Sequence, residues 1–494
     1  MIGRRTHILV ICLLGLAVGA SHVNAQDSLW CAAYGGYFND NGFAALSLGS
    51  GDFLLLGSTY SYGSGDHDVY LVKVDSAGNE IWSRTYGGSQ ADYGYDIIPT
   101  SDNGYLIVGS TCSFGAGKHD VYLIKVDYAG AVVWSKTFGG VQDDDGASVR
   151  LTADGGIIIC GTTSSFGDGT DTYLIKTDSL GDSSWTRTYG GSAGESGSAV
   201  RVVPDGGYVI VGSTGSYGAG YSSIYLVRAD MAGDTLWTAT YGGTRADFGY
   251  SIEITGDRGY ILVGATAPDG ENFYDAFLAK TDSLGRLEWS NTYGGLNEER
   301  GYSVQPTSDG GFIMAGITEA GGSRKIDVYM VKTDGGGDIE WDSAYGGAEP
   351  DYGRMVLLDP NYDYLIVGYS FSSVHGGSDV CLLKVKGPVK TDSDDFDAII
   401  PSKQYVLRQN YPNPFNPTTT IEFSIPARSH VTIEVFNVLG QKVKTLVDED
   451  RRAGSYRIEW NGHDTAGQPA ATGVYLYRFR AEDHVRTLKM LLVR

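Results

Sequence analysis

The sequence predicts an all-β fold: a seven-bladed β-propeller closed by its own N-terminal strand, followed by a small antiparallel β-sandwich. Three observations carry this. An aromatic residue before Gly-Gly recurs at Tyr34, Tyr86, Phe138, Tyr189, Tyr241, Tyr293 and Tyr345, at intervals of 52, 52, 51, 52, 52 and 52 residues. The 494-residue chain holds 71 Gly and 34 Tyr, a pairing that suits many short strands joined by tight turns. No stretch shows the 3.6-residue periodicity of an amphipathic helix.

The N-terminus has Arg4 and Arg5, an apolar run from Ile8 to Ala20, and Val23-Asn24-Ala25, the pattern of an export signal over residues 1–25. Ile11 precedes Cys12 where a lipoprotein signal wants a small residue, so a soluble exported protein is expected. No later stretch reaches the ~18 apolar residues of a membrane span, so the mature chain is expected to lack one.

Residues 26–387 form the repeat region. In the unit beginning near Gly94, "GYDIIPT" (94–100) reads as strand a and "GYLIVGST" (104–111) as strand b. "DVYLIKVD" (120–127) reads as strand c and "VVWSKTF" (132–138) as strand d. These runs are rich in β-branched and aromatic residues and bounded by Gly and Asp. Four strands per repeat of about 50 residues is the mark of a propeller blade. A Trp lies four residues before each aromatic, from Trp30 to Trp341, and is expected to pack between blades on outer strand d. A Gly lies eight residues after each aromatic, from Gly42 to Gly353, and is expected to relieve crowding at the entry of innermost strand a.

The first copy starts with a lone strand d at Trp30 and the last ends after strand c, "DVCLLKVKG" (379–387), so the first strand should complete the seventh blade. With residues 126 and 131 paired across the repeat hairpin, Cys31 faces Cys381. A disulfide there is expected in an exported protein, with two buried thiols as the alternative. The whole repeat resembles the bacterial propeller repeats of the W-x-x-x-Y-G-G and SBBP type, which implies fold and not activity. The turn "DSAGNEIW" before Trp82 also looks like the Trp-docking turns of quinoprotein propellers, one residue shorter.

Charge is uneven. Residues 26–390 carry 22 Lys and Arg against 46 Asp and Glu, which argues against nucleic acid and anionic membranes as partners. The sixth residue after each aromatic is acidic: Asp40, Asp92, Asp144, Glu195, Asp247, Glu299 and Asp351. As a ring at the channel mouth these are the candidate ligand-binding residues, for a divalent cation or a cationic or hydroxyl-rich ligand. The competing reading has each carboxylate accepting backbone N–H groups of its own Gly-rich loop. Strand c carries an equally regular Lys73, Lys125, Lys176, Arg228, Lys280, Lys332 and Lys384, read as scaffold counter-charges.

Features that break the seven-fold pattern are better functional candidates. His67, His119 and His375 fall on blades one, two and seven, too far apart on equivalent loops for ~2 Å coordination bonds. Loop aromatics Tyr60, Tyr62, Phe114, Phe166, Tyr217 and Tyr221 offer stacking surfaces for sugar rings or peptide side chains, or pack beneath their own loops. The chain has no H-E-x-x-H, Cys-x-x-Cys or P-loop, and its one G-x-S-x-G, Gly190 to Gly194, lies in a repeat loop. Neither a resident metal nor a catalytic set is expected, and binding is favoured over catalysis.

Residues 388–404 read as a linker and 405–494 as a second domain of alternating strands. Within it stand Asn410-Tyr411-Pro412-Asn413-Pro414-Phe415-Asn416-Pro417, Gly440, Trp460-Asn461-Gly462, Gly473-Val474-Tyr475 and Lys489-Met490. In that order they resemble the type A C-terminal sorting domain of the type IX secretion system, related in shape to the immunoglobulin-like module of flagellar hook-capping proteins. Asn461 stands where an Asp is common. The resemblance implies the type IX machinery as a partner and secretion or display on the outer membrane.

The function expected is therefore an extracellular binding module for a glycan or protein ligand. A polysaccharide hydrolase or lyase and a structural surface-layer component are the alternatives.

Overall fold

The computed structural model describes residues 28–387 and 406–493, except 49–50, 269–272, 296, 320–324, 360–362, 373–375, 408–409, 411–412, 414, 426–428, 452–453, 466–467 and 483. The export signal and the linker expected at 388–404 lie outside the described residues. Two compact units divide at Pro388 and Val389.

The first unit contains seven four-stranded antiparallel sheets in a propeller-like series. In sheet 1 the strands are Asp40–Ser47 (a), Phe53–Thr59 (b), Asp68–Val74 (c) and Glu80–Tyr86 (d), paired in that order. Sheets 2 to 6 repeat it. In sheet 7, Asp351–Leu358 (a), Tyr364–Ser370 (b) and Asp379–Val385 (c) are joined by the N-terminal strand Ser28–Tyr34 as strand d. Strands b and c are buried on both faces and form the apolar clusters between neighbouring sheets. The a strands of successive sheets pack together, and that of sheet 1 packs against that of sheet 7.

Two irregularities recur. Strand a carries a one-residue bulge after its Gly, as between Gly94 and Asp96, leaving the intervening residue unpaired. The Gly itself lies opposite a strand b Gly, Gly94 against Gly109. A Cβ on Gly94 would meet side chains of Leu56 and Val69 at 2.8 and 2.9 Å, so the crowding comes from the neighbouring sheet and not from six strands at an axis. The second bulge precedes each Trp in strand d. The hairpin closes with Val126 opposite Val132, one residue beyond the expected partner, and the bulge adds one more, so Tyr122 pairs with Thr137. Cys31 consequently lies opposite Leu383, and Cys381 opposite Ala33. The two cysteines are diagonal neighbours, not facing ones, and their Sγ atoms stand 3.3 Å apart, a contact and not a bond.

Successive repeats are clasped on the outside. Each Trp from Trp30 to Trp289 lies over the hairpin Gly of the next repeat, where a Cβ on Gly130 would meet the Trp82 ring at 3.0 Å. The hydroxyl of Tyr86 donates to the carbonyl of that Gly130 at 2.8 Å. The strand c cations, all buried but the half-buried Lys73, reach acids of the a–b turn, Lys125 to Asp102 at 2.7 Å and Lys384 to Asp359 at 2.6 Å. The counter-charge reading holds, and the Thr152 hydroxyl, the Gly156 N–H and the Lys176 ammonium bring the Asp154 carboxyl down to about 2.

The second unit is a sandwich. One sheet pairs Val406–Leu407, Thr419–Ile425 and Gly454–Trp460. The other orders Lys442–Arg451, Ser429–Asn437, Gly473–Ala481 and His484–Leu492. Trp460, Tyr477, Phe423 and Phe479 fill the space between them.

Candidate functional site

The seven ring acids do not line a channel mouth. All are buried, between 0 and 6% exposed, at the first position of strand a. Asp92 accepts the Gly88 N–H at 2.8 Å, the Ser113 hydroxyl at 2.7 Å and the Thr111 hydroxyl. Glu195 accepts Gly191 N–H, Thr214 Oγ1 and Ser216 N–H at 2.8 to 3.0 Å. Asp40, Asp144, Asp247, Glu299 and Asp351 repeat the Gly contact. These carboxylates fasten the loop after Gly-Gly to strand b, because a buried anion is tolerated only when its lone pairs are filled. Among the described residues no cluster of three or more His, Cys, Asp or Glu is arranged to hold a metal.

The loop aromatics divide. Tyr62, Phe114, Phe166 and Tyr217 tilt onto Tyr70, Tyr122, Tyr173 and Tyr225, with centroids 5.6 to 5.7 Å apart. They pack on their own sheets. Tyr221 is exposed alone, and Tyr60 belongs to a different group. His375 lies outside the described residues, and His119 contacts Asp145 at 3.3 Å.

That different group lines the candidate site. Between sheets 7 and 1, Tyr37, Phe38, Asn39, Tyr60, His67, Gly376 and Gly377 line a cavity of about 310 Å³. Tyr37 is 77%, Phe38 50% and Tyr60 44% exposed, so the rings present faces to solvent. Edge contacts join Tyr37 to Phe38 and Phe38 to Tyr60, both at 5.4 Å. From Tyr60 the series passes through His67 to Tyr93 at 5.1 and 5.3 Å, then to Tyr95 and Phe43. Phe43 leads to Tyr369, which stacks on Tyr352 at 4.5 Å.

Strand a supplies the inner part through two positions, the residues on either side of its Gly. The second is the bulged residue, left out of the pairing with strand b. In chain order the pairs are Asn41 and Phe43, Tyr93 and Tyr95, Asp145 and Ala147, Ser196 and Ser198, Phe248 and Tyr250, Arg300 and Tyr302, Tyr352 and Arg354. All fourteen are half-buried. Sheets 5, 6, 7, 1 and 2 thus present an arc of rings, while sheets 3 and 4 present only small side chains, Asp, Ala and Ser. Tyr250 meets Tyr302 at 5.1 Å, and the Arg354 guanidinium lies 4.4 Å from the Tyr302 ring centroid. Arg300 lies 4.4 Å from the Tyr274 ring and is paired with Glu298 at 2.5 Å.

Sequence reasoning passed over this arc. The signal was there: Tyr37-Phe38 occupies a position filled elsewhere by Ser-Gln, Val-Gln, Ser-Ala, Thr-Arg, Leu-Asn and Ala-Glu. Comparing repeats for difference at each column, and not for sameness, finds it.

In the second unit several of the described motif residues pack or hydrogen-bond within the sandwich. Asn410 donates its N–H to the Tyr477 hydroxyl at 2.8 Å and its Nδ2 to Thr419 at 2.9 Å. Phe415 is buried against Trp460 and exchanges backbone hydrogen bonds with Leu491 and Val493. Gly440 takes φ +76° in a hairpin turn, and the Tyr475 hydroxyl closes on Ala471. Gly473 opens and Lys489 lies within the last two paired strands, and Pro417 follows Asn416 in a cis peptide bond. Tyr411, Pro412 and Pro414 lie outside the described residues.

Residues 414–484 match the family model of the FlgD Ig-like domain. The regulatory protein FlaEY of Caulobacter vibrioides is 26% identical over 173 residues, 30% of this chain and 18% of that protein. The chain therefore spans less than a fifth of the length of that curated relative. Among solved structures, the chain is similar to PorZ, a bacterial surface component of the type-IX secretion system of Porphyromonas gingivalis. That similarity has a TM-score of 0.40 and 12% identity, over 90% of this chain and 59% of that one. The WD40 domain of Neurospora crassa Pan2 gives 0.47 and 10%, over 74% and 96%. At these values the likeness is to a propeller-like arrangement of strands alone. No helix among the described residues is long and apolar enough to cross a membrane.

Proposed function

We propose that the chain is an extracytoplasmic binding protein that holds a glycan on the aromatic arc of a seven-bladed propeller closed by the N-terminal strand. The observation that carries this reading is the continuous series of rings from Tyr37 to Tyr352, confined to one sector of an otherwise repeated structure. Exposed Tyr and Phe faces stack on the C–H faces of pyranose rings, and Asn39 and His67 at the cavity supply hydrogen bonds to sugar hydroxyls. Export follows from residues 1–25 and from a type IX sorting role for 405–494, supported by the ordered motif from Asn410 to Lys489 and the FlgD Ig-like match. The chain then acts outside the cytoplasm, on the outer-membrane surface or in the medium.

The reading is tested by calorimetric titration of the purified chain against a panel of neutral and acidic oligosaccharides. Phe38→Ala and Tyr60→Ala should each weaken a bound glycan by about 1–2 kcal/mol, roughly 5- to 30-fold in Kd. Phe114→Ala, whose ring packs on Tyr122, should lower the melting temperature and leave affinity unchanged. Equal affinity for all three variants, or binding only to a protein partner, would refute the glycan reading.

Outside the cytoplasm the Cys31 and Cys381 thiols, already 3.3 Å apart, should oxidise to the disulfide that ties the first strand to the last. Peptide mapping without reductant should recover the two peptides linked, with a melting temperature that falls on reduction. Recovery of both as separate peptides from exported protein defeats this.

A further inference from the structure

Cations in the first unit are matched to carboxylates almost wherever they are buried. The seven strand c cations each reach an acid of the a–b turn. On the a strands, Arg150 meets Asp96 at 2.6 Å, Arg201 meets Glu253 at 2.6 Å and Arg300 meets Glu298. In a region with twice as many acids as bases such pairing is expected.

Arg354 is the exception among the described residues. It occupies the bulged position of strand a in sheet 7, where the other repeats hold Phe, Tyr, Ala or Ser. Its guanidinium is stacked on Tyr302 at 4.4 Å and lies 5.5 Å from the Tyr369 ring and 6.0 Å from Phe43. One Nη donates to the Tyr369 hydroxyl at 3.1 Å. Its Nε is buried with no hydrogen-bond partner, and no carboxylate pairs with the group. A half-buried cation held by aromatic faces, with an unfilled donor, lacks the counter-ion that its burial calls for. The ring faces orient the guanidinium plane, leaving a rigid fork suited to a planar anion.

We infer that Arg354 anchors the carboxylate of an acidic sugar chain, a uronic-acid oligomer whose rings lie along the arc. This rests on the aromatic arc being the glycan site and goes further, because it names the charge of the ligand.

The test uses the full chain and three probes: a tri-uronate, the same trisaccharide with its carboxyls methyl-esterified, and a sulfated neutral trisaccharide. The acid should bind at least about ten-fold tighter than the ester, and the advantage should shrink in high salt. Arg354→Gln should abolish that advantage, so that the acid binds no tighter than the ester. Arg354→Lys keeps the charge without the fork and should retain part of it, which also guards against a Gln variant that fails to fold. Arg-dependent binding of the sulfated probe alone would overturn the carboxylate assignment and point to a sulfate. Equal binding of acid and ester, unaffected at position 354, would overturn the anion inference while the arc stands. No binding of any probe would overturn both.

Discussion

Gly264→Ala should cost more stability than any exposed substitution in the molecule, several kcal/mol, read as a fall of the melting temperature by ten degrees or more. Gly264 lies in strand b directly opposite Gly249, beside the bulge of strand a. The bulge throws the carbonyl of Phe248 beneath it, so an added Cβ would stand 1.9 Å from that oxygen and 3.0 Å from its carbon. The obstacle is backbone, which has no rotamer in which to retreat. The same oxygen contact recurs at Gly57, Gly109, Gly161, Gly212, Gly316 and Gly368, at 1.7 to 1.8 Å. Relief requires flattening the bulge, and the bulged residue in this sheet is Tyr250, a member of the arc. A variant that survives should therefore also bind the proposed glycan more weakly. An unchanged melting temperature would show that the bulge is plastic and would leave these seven glycines without a steric cause.

Asp327→Asn should stabilise the chain at neutral pH, by on the order of 1 kcal/mol after solvent screening, and flatten the dependence of stability on pH between about 4 and 6. Strand c of most sheets begins with an Asp whose carboxylate approaches the ring acid of the next sheet. A Cβ on Gly346 would lie 2.0 Å from Asp327 Oδ1 and 3.0 Å from Asp351 Oδ2, so both carboxylates crowd one glycine. Burial, and after it the Asp351 charge, pushes Asp327 up from 3.8 to about 6. Because the folded-state value lies above the unfolded one, this group favours the folded chain fully below about pH 4. That contribution is lost as the pH rises through 6, and at pH 7 the ionised pair is a cost. An Asn keeps the shape and can donate to Asp351. Asp68 and Asp171 are raised in the same direction, also chiefly by burial, with Asp92 and Glu195 as neighbours. In the fourth sheet Ser223 already replaces the Asp, beside Asp247. Denaturant titrations at pH 5 and pH 7 check this, and a variant less stable than the parent at pH 7 would refute it.

The strands were legible because the repeat is nearly seven-fold redundant. Strand c, read at 120–127, is observed at Asp120–Val126, and strand d, read at 132–138, is Val132–Phe138. What escaped was a hairpin closing one residue later and the bulge before each Trp, neither of which any residue type announces and which together displaced Cys381 from Cys31 by two positions. The ring acids were legible as a pattern but ambiguous in role, since a carboxylate column looks the same as a ligand ring or as loop fasteners. Only burial separates the two. The arc escaped for the opposite reason. Phe43, Tyr95, Tyr250, Tyr302 and Arg354 share a column that strands of this kind fill with any side chain, so their meeting depends on the bulge that aims them.

The seam of the seventh sheet has a consequence in time. Its outer strand, Ser28–Tyr34, is synthesised first, while the strand it pairs with, Asp379–Val385, comes some 350 residues later. Loop closure over that span contributes nothing until the last repeat has emerged. Through that interval the leading strand waits with an unpaired edge, and six sheets can form without it. Its docking has to wait for strand c of the last repeat, so a chain that ends before Val385 leaves that edge open to proteases and to strand exchange with a second copy.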